Sequence, residues 1–463
     1  MTYTTPITVE IANFIGDTNF DALPQNVLAR GRVHILDALG LALAGSRTPA
    51  TRSLINLARR VGGTATASVL GTALRTSPPL SALINGTAMH ADNFDDTSPQ
   101  PSPDRNGGIH ATAAVLPAIL ALAEEANLSG RKLTEAFHLG IELSCKLNHA
   151  IDPRHYAEGS HTTGTLGIFG AAAGAAKLLG LDTAGVAHAL ALATARAGGV
   201  RANFGSMVEQ AQAHAGIAAE GGVTAALLAD LGLAGDTDSL GNHFGWLQAA
   251  GGGYAPDAIR GRLGAPWAIV DPGTWIKPYP SGSLTHPAMT LLENMMREHG
   301  FDANTVDNLT VFTNQRLIST LIHNNPTDAI QARFSMPFCL AVLLVLGRAG
   351  ISEFTDNIVN RPEIRAMIKR IVYRPYDAVE TGYSNVTTFV EVTLANGATH
   401  KARADFPRGS PEAPMSFDDV VEKFIDCAAA VDWPADKIDQ IMEMVEKLEE
   451  LESVRYLIAR LTS

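Results

Sequence analysis

Apolar residues recur at helical spacing through most of the first half of the chain. Leu28, Val33, Ile35, Leu36, Leu39, Leu41 and Leu43 form one such face, and residues 111–127, 131–149, 164–180, 184–197 and 213–232 repeat the pattern with alanine-rich faces. Turn signals separate them at Gly62-Gly63, Leu128-Ser129-Gly130, Gly180-Leu181-Asp182 and Gly251-Gly252-Gly253. Residues 7–265 are therefore expected to be almost wholly helical, without a fixed repeat period. Near residue 266 the pattern changes. The stretches beginning at Asn308 and Ile371 alternate as strands do, and residues 387–393 and 399–404 flank an Asn396-Gly397 turn, a hairpin signal. Residues 285–299, 333–349 and 361–370 between them have helical character, as does the chain from Ser416 on, ending in a charged amphipathic run from Ala435 to Ala459.

These elements predict a mainly α protein carrying a smaller α+β unit. Residues 1–267 form the first part of a helical domain, 268–405 an α/β lid, and 406–463 a helical tail that rejoins the first part, making the lid an insertion.

Composition narrows the function classes. With 463 residues the chain can bury a large core, and its 42 glycines and many alanines suit closely packed helices. A formal charge of −12 argues against a nucleic-acid partner, which wants a basic face, but leaves room for a local cationic pocket that binds an anion. Cys145, Cys339 and Cys427 lie far apart with no ligand spacing, as expected of free thiols in a reducing compartment. The start of the chain lacks the pattern of a signal peptide, and the longest strongly apolar run, Met336 to Leu346, is too short to span a bilayer. A cytoplasmic protein without a membrane partner is the expectation.

Three polar constellations stand out against a chain that is only 18% charged. The first, His90-Ala91-Asp92-Asn93-Phe94-Asp95-Asp96-Thr97, concentrates carboxylates beside an imidazole, which suits proton transfer or cation binding, although acidic clusters are often solvated turns. The second, Gly159-Ser160-His161-Thr162-Thr163-Gly164-Thr165, sets a histidine at the mouth of a helix whose amides favour an anion; alone, an N-cap with a solvent histidine explains it better. The third, Lys277-Pro278-Tyr279-Pro280-Ser281-Gly282-Ser283-Leu284-Thr285-His286, holds lysine, serine and histidine on a constrained loop at the domain junction, where an ordinary linker is the alternative. Two further turns, Asp104 to His110 and Asn203 to Met207, lie between them, whereas His138, His188, His299 and His400 have no supporting context. No Walker loop, dinucleotide fingerprint, HExxH or GxSxG occurs, and a cation held by Asp92, Asp95, Asp96 and a histidine stays open.

The order and separation of the three constellations resemble the MmgE/PrpD family, which includes 2-methylcitrate dehydratase, cis-aconitate decarboxylase and iminodisuccinate epimerase. Asn85-Gly86 with His90 and Phe94 to Thr97, Gly159 to Thr165 with the helix ending Leu178 to Asp182, and Lys277 to Ser281 with Thr285-His286 carry the resemblance, which also extends to Pro326–Pro337 and Pro411–Phe424. It implies a large helical domain built from both chain ends, an inserted lid, a homodimer, and a site without cofactor or metal that acts on small di- or tricarboxylates. Its site positions match Asn93, Thr97, His110, His161, Lys277 and His286, with Asp95, Asp96 and Ser281 as further substrate contacts. The chain departs from the family at Asn93, where aspartate is common, and between Val208 and Ala213, where an expected lysine is missing and His214-Ala215-Gly216 arrives late.

The shared chemistry is proton removal next to a carboxylate. His161 is the expected base, Lys277 the charge stabiliser, and His110 or His286 the proton return, with Asp95 or Asp96 orienting a histidine. A hydro-lyase is the first expectation and an isomerase or epimerase the second. Decarboxylation and a non-catalytic carboxylate binder stay open.

Overall fold

The computed structural model describes residues 5–99, 107–202 and 209–463. The turns at Asp104–Asn106 and Asn203–Met207 lie outside the described residues.

The structure is mainly α, with a small sheet-containing unit. Two hydrophobic cores organise it. The larger draws on residues from Ile7 to Ile276 and again from Met415 to Leu461, so both ends of the chain share one interior. The smaller runs from Tyr279 to Val392. In the second, strands Val306–Thr313, Ile371–Pro375, Thr388–Leu394 and Thr399–Ala404 make one sheet. Val306–Thr313 pairs in parallel with Ile371–Pro375 on one side and antiparallel with Thr388–Leu394 on the other, and Thr399–Ala404 closes the hairpin at the edge. Gly397 takes φ 86° in the turn, as an Asn-Gly connection requires. Helices His286–His299 and Met336–Leu346 bury their apolar faces in the same core.

The helices of the first half fall where the apolar periodicity places them: Ala111–Glu125, Gly130–Ala150, Thr162–Leu178, Thr183–Thr194 and Glu209–Asp230. Two stretches differ. From Leu231 to Pro266 the chain makes turns and only the short helices Trp246–Ala249 and Pro256–Ala258. Nine glycines in that span, five of them at positive φ, break the helical ladder. The amphipathic tail also breaks after Glu446, and the turn Leu448–Glu450 precedes a last short helix, Arg455–Ile458. There the backbone turns so that Leu451 O accepts the N–H of Gly130, docking the tail on the start of another helix. Among the described residues no helix is long and apolar enough to cross a membrane, and all three cysteines are buried and free.

Small residues decide how closely the central helices approach. Helix Pro78–His90 and helix Glu209–Asp230 meet at Gly86 and Gly216; a Cβ on Gly86 would lie 2.8 Å from the Gly216 Cα, and one on Gly216 only 2.1 Å from the Leu83 carbonyl oxygen. Gly216 stands two residues after His214, so this approach also fixes an imidazole. Gly216→Ala should cost about 1–3 kcal/mol, the usual penalty for overpacking a filled core, measured as a lower denaturant midpoint. An unchanged midpoint would mean that the two helices have room to separate.

Candidate active site

The residues from His90 to Thr97 leave the helix Pro78–His90 as an irregular loop between the two cores. Asn93 turns it with φ 52°, a left-handed conformation that asparagine tolerates better than most residues. The loop is fixed from four directions. Arg333 donates to Ala91 O at 3.0 Å and to Asp92 Oδ1 at 2.6 Å. Gln212 Nε2 donates to Ala91 O at 3.1 Å. Lys423, from helix Phe417–Ala429, donates to Phe94 O at 2.7 Å and to Lys277 O at 3.0 Å, with Asp37 as its counter-ion at 2.6 Å. Thr97 exchanges two backbone hydrogen bonds with Trp275, at 2.8 and 2.7 Å, joining the loop to the strand-like segment that carries Lys277.

Behind the loop the acids are committed to histidines. Asp95 Oδ2 lies 2.7 Å from His90 Nδ1 and 3.3 Å from His110 Nδ1. Asp96 Oδ2 accepts from Thr112 Oγ1 at 2.6 Å and lies 3.0 Å from His34 Nδ1. Burial alone would raise the Asp95 carboxyl, but the neighbouring His110 and His90 outweigh it and hold it well below the usual carboxylate range. His110 Nδ1 also lies 2.5 Å from the Asp96 backbone oxygen. A carbonyl can only accept, so Nδ1 carries the proton and Nε2 keeps its lone pair. Burial pushes the His110 imidazole down to about 4, only partly offset by Asp95.

His161 occupies the N-cap position of helix Thr162–Leu178, but its side chain makes no capping bond. Its Nδ1 instead meets His214 Nδ1 at 2.9 Å. One of the two nitrogens must donate, so the pair shares a proton along that line and His161 Nε2 is left for other partners. Burial, then the neighbouring imidazoles His90, His214 and His110, pushes His161 well below the ordinary histidine value. With His90 and His110 centred 4.9 Å apart and His90 and His161 5.9 Å apart, four imidazoles form one continuous cluster.

A cavity of about 500 Å³ opens between the two cores beside this cluster, and Asn93, Thr97, His110, His161 and Lys277 line it together. A smaller space of about 50 Å³ behind it is lined by His90, His110, His161, Gln212 and His214. Lys277 is buried, and burial lowers its ammonium to about 8 even against the pull of Asp95.

The remaining expected residues lie elsewhere. Asp95 and Asp96 stand behind the histidines instead of lining the cavity. Ser281 is fully buried and pairs with Thr285 Oγ1 at 2.8 Å, facing Met289 inside the smaller core. His286 also points inward, against the Tyr279 ring, because the tight turn Ser283–Thr285 delivers it as the first residue of its helix. The cavity wall there is made by Gly282, Ser283 and Leu284. The cation set of Asp92, Asp95 and Asp96 is likewise dispersed, because Asp92 pairs with Arg333 and Asp96 with His34. His90, Asp95 and His110 do have ligand-like spacing, with Asp95 Oδ2 engaged by the Nδ1 atoms of both histidines.

Three residues given no site role in the sequence belong here. His90, read only as part of the first constellation, and His214, noted only for its late position, complete the cluster, and the pairing of separate helices gives them their place. Arg201 brings a second cation to the cavity, its guanidinium 3.6 Å above the Tyr156 ring; a lone arginine after Gly198-Gly199 gave no signal.

Comparison with known proteins identifies the family. Residues 9–258 match the MmgE/PrpD N-terminal domain, and residues 279–450 match the MmgE/PrpD C-terminal domain. The chain belongs to the MmgE/PrpD family. Among its relatives is a cis-aconitate decarboxylase of Homo sapiens, 28% identical over 97% of this chain and 93% of that protein. One from Mus musculus is 27% identical, covering 97% of this chain and 92% of its own length. Another, from Aspergillus terreus, is 25% identical over 98% and 95%. As in other members of the MmgE/PrpD family whose names denote lyases, the chain is an enzyme of lyase type.

Neutral buried imidazoles make the fold acid-sensitive. On unfolding, His110 recovers a value near 6.5, so below that pH the unfolded chain binds a proton that the folded site refuses. Its contribution is complete above about 6.5 and is lost as pH falls toward about 4, at up to about 1.4 kcal/mol per pH unit. Melting temperature should therefore fall across this range, and His110→Asn should flatten the slope. An equal slope in wild type and variant would show that His110 is already protonated when folded.

Proposed function

We propose that the protein is a carboxy-lyase of the cis-aconitate type, acting on a small tricarboxylate in the cavity between the two cores. The observation that carries this is the pairing of a buried cation, Lys277, with His161 across one cavity, in a chain similar over nearly its whole length to cis-aconitate decarboxylases.

In this reading Lys277 receives the carboxylate conjugated with the substrate alkene. The bond from carbon to a second carboxylate breaks and CO2 leaves. The electron pair passes through the alkene into the carboxylate held by Lys277, where a fixed cation stabilises it without reorganisation. His161 Nε2 then gives a proton to carbon, and His214 resupplies it through the shared Nδ1 line. Thr97 and Arg201 border the same cavity and orient the other oxygens. Asp95 keeps His90 and His110 aligned, acting through them and not on the substrate.

A second reading has one specific observation in its favour. The His110 tautomer, fixed by the Asp96 carbonyl, leaves a lone pair on Nε2 at the cavity wall. Decarboxylation has no need of such a base, whereas a hydro-lyase does: His110 would remove the proton next to a carboxylate and His161 would protonate the departing hydroxyl. Proton NMR in D2O separates the two. With cis-aconitate, release of CO2 and a deuterated alkene product support the carboxy-lyase. With 2-methylcitrate, loss of the proton signal with a new alkene and no CO2 moves the assignment to a hydro-lyase, and a stereoisomer without an alkene moves it to an epimerase.

Either way kcat/KM should decline above about pH 8, as Lys277 loses its proton. Lys277→Met should lower kcat/KM by about 10²–10³-fold, the range for removing one charge-stabilising donor. His161→Ala should lose most of kcat with little change in KM. Near-normal turnover in His161→Ala would remove it from the proton path.

A further inference from the structure

The small space behind the main cavity has a chemistry of its own. It holds about 50 Å³, far below the roughly 300 Å³ at which ligand pockets begin. One water needs only about 10–15 Å³. The imidazoles of His90, His110, His161 and His214 line it together with Asn93 and Gln212. Two of these side chains carry an orphaned atom. Gln212 is 7% exposed. Its Nε2 is spent on the Ala91 carbonyl, which can only accept, so the atom left over is Oε1, an acceptor. Lys277 Nζ donates to Asn93 Oδ1 at 2.8 Å, so the atom left over there is Nδ2, a donor. Among the described residues neither Gln212 Oε1 nor Asn93 Nδ2 has a hydrogen-bond partner, and both are buried. A buried donor and a buried acceptor beside one small polar space are costly unless a molecule that both donates and accepts joins them.

The position of this space matters as much as its polarity. A substrate in the main cavity covers the faces of His110 and His161 that line it. The small space reaches the same two rings, and also His214, whose Nδ1 meets His161 Nδ1 at 2.9 Å. Val200, 53% exposed, and the half-buried Ala211 complete part of its lining, so it lies close to solvent. Burial keeps His161 well below the ordinary histidine value. As a proton donor it therefore gains its charge only beside a bound anion, when the main cavity is already covered.

We propose that the small space is a water site with Gln212 as its positioning residue: water held between Gln212 Oε1 and Asn93 Nδ2 carries protons from solvent to the His161–His214 pair. The inference rests on the proton delivery by His161 proposed above. Decarboxylation places one proton on carbon in each turnover, and that proton comes in the end from solvent. An O–H bond of the water breaks as an N–H bond forms on the imidazole pair. The water regains a proton from solvent past Val200 and Ala211, and nothing is oxidised or reduced.

Three variants separate this role from a structural one. Gln212→Met loses both the acceptor and the bond to Ala91 O. Gln212→Glu keeps an acceptor, and Ala211→Leu fills the space while leaving Gln212 in place. A high-resolution crystal structure of the wild type should show water within hydrogen-bond distance of Gln212 Oε1; its absence would overturn the site. With cis-aconitate, Gln212→Met and Ala211→Leu should each lower kcat about 10²-fold, the low end for a positioned acid, with KM little changed. Stopped-flow proton uptake should slow in step with CO2 release in both, and Gln212→Glu should recover most of kcat. Unchanged kcat in Ala211→Leu would overturn the relay, as would a Gln212→Glu variant as slow as Gln212→Met. If the wild type releases no CO2 from cis-aconitate, the reaction assigned above falls, while the crystal structure still decides the water site.

Discussion

Lys423 is the interaction on which the rest of the site depends. Its ammonium is held against Asp37 from helix Gln25–Gly45, the carbonyl of Phe94 in the acidic loop and the carbonyl of Lys277 at the entry to the smaller core, and it lies 3.8 Å from the centre of the Phe94 ring. One nitrogen thus ties four segments together. Each partner alone is worth little, but a cation taken out of water must be fully satisfied, and removing one partner of a buried pair leaves an expensive orphan. The arrangement is therefore close to all-or-none. It sets where Asn93 and Lys277 face each other, and with them the floor of the cavity.

From that anchor the histidines acquire their character. Burial pushes His110, His161 and His214 below the ordinary histidine value, while Asp95 and Asp96 face His90, His110 and His34 and fix their orientation. The face toward the cavity consequently carries the imidazoles of His110 and His161 and the buried ammonium of Lys277, with Arg201 and Glu412 also lining it. That combination can pass protons, and its cations attract an anion.

Much of this was legible in the sequence, for identifiable reasons. The hairpin Thr388–Ala404 follows from strict alternation around an Asn-Gly turn, and the alanine-rich helices from their period. His110, His161, Lys277, Asn93 and Thr97 could be proposed because each lies in a loop where polar residues are dense. What was not legible depends on direction in space. Ser281 and His286 belong to the same conspicuous loop as Lys277, but a tight turn sends their side chains into the smaller core. His214 is one histidine on an alanine-rich helix until Gly86 and Gly216 bring that helix against its neighbour. Lys423, on an amphipathic helix near other charges, would be taken for a solvated residue; its burial follows from the return of the tail to the first core. The glycine-broken stretch from Leu231 to Pro266 was misjudged as helix because apolar spacing outweighed its turn residues.

The return of the tail has a consequence for how the protein comes into being. Lys423 and the Phe94 carbonyl it holds are 329 residues apart along the chain. At ordinary rates of translation, roughly 5–20 residues per second, the acidic loop waits roughly 15–65 seconds for its anchor to be made. During that interval the early helices can assemble, but the segment bearing the histidine cluster has no clasp. A chain ended between Glu412 and Lys423 therefore carries the residues that line the cavity and still lacks the contact that holds its floor. The clasp on the acidic loop closes only once the segment bearing Lys423 has been made.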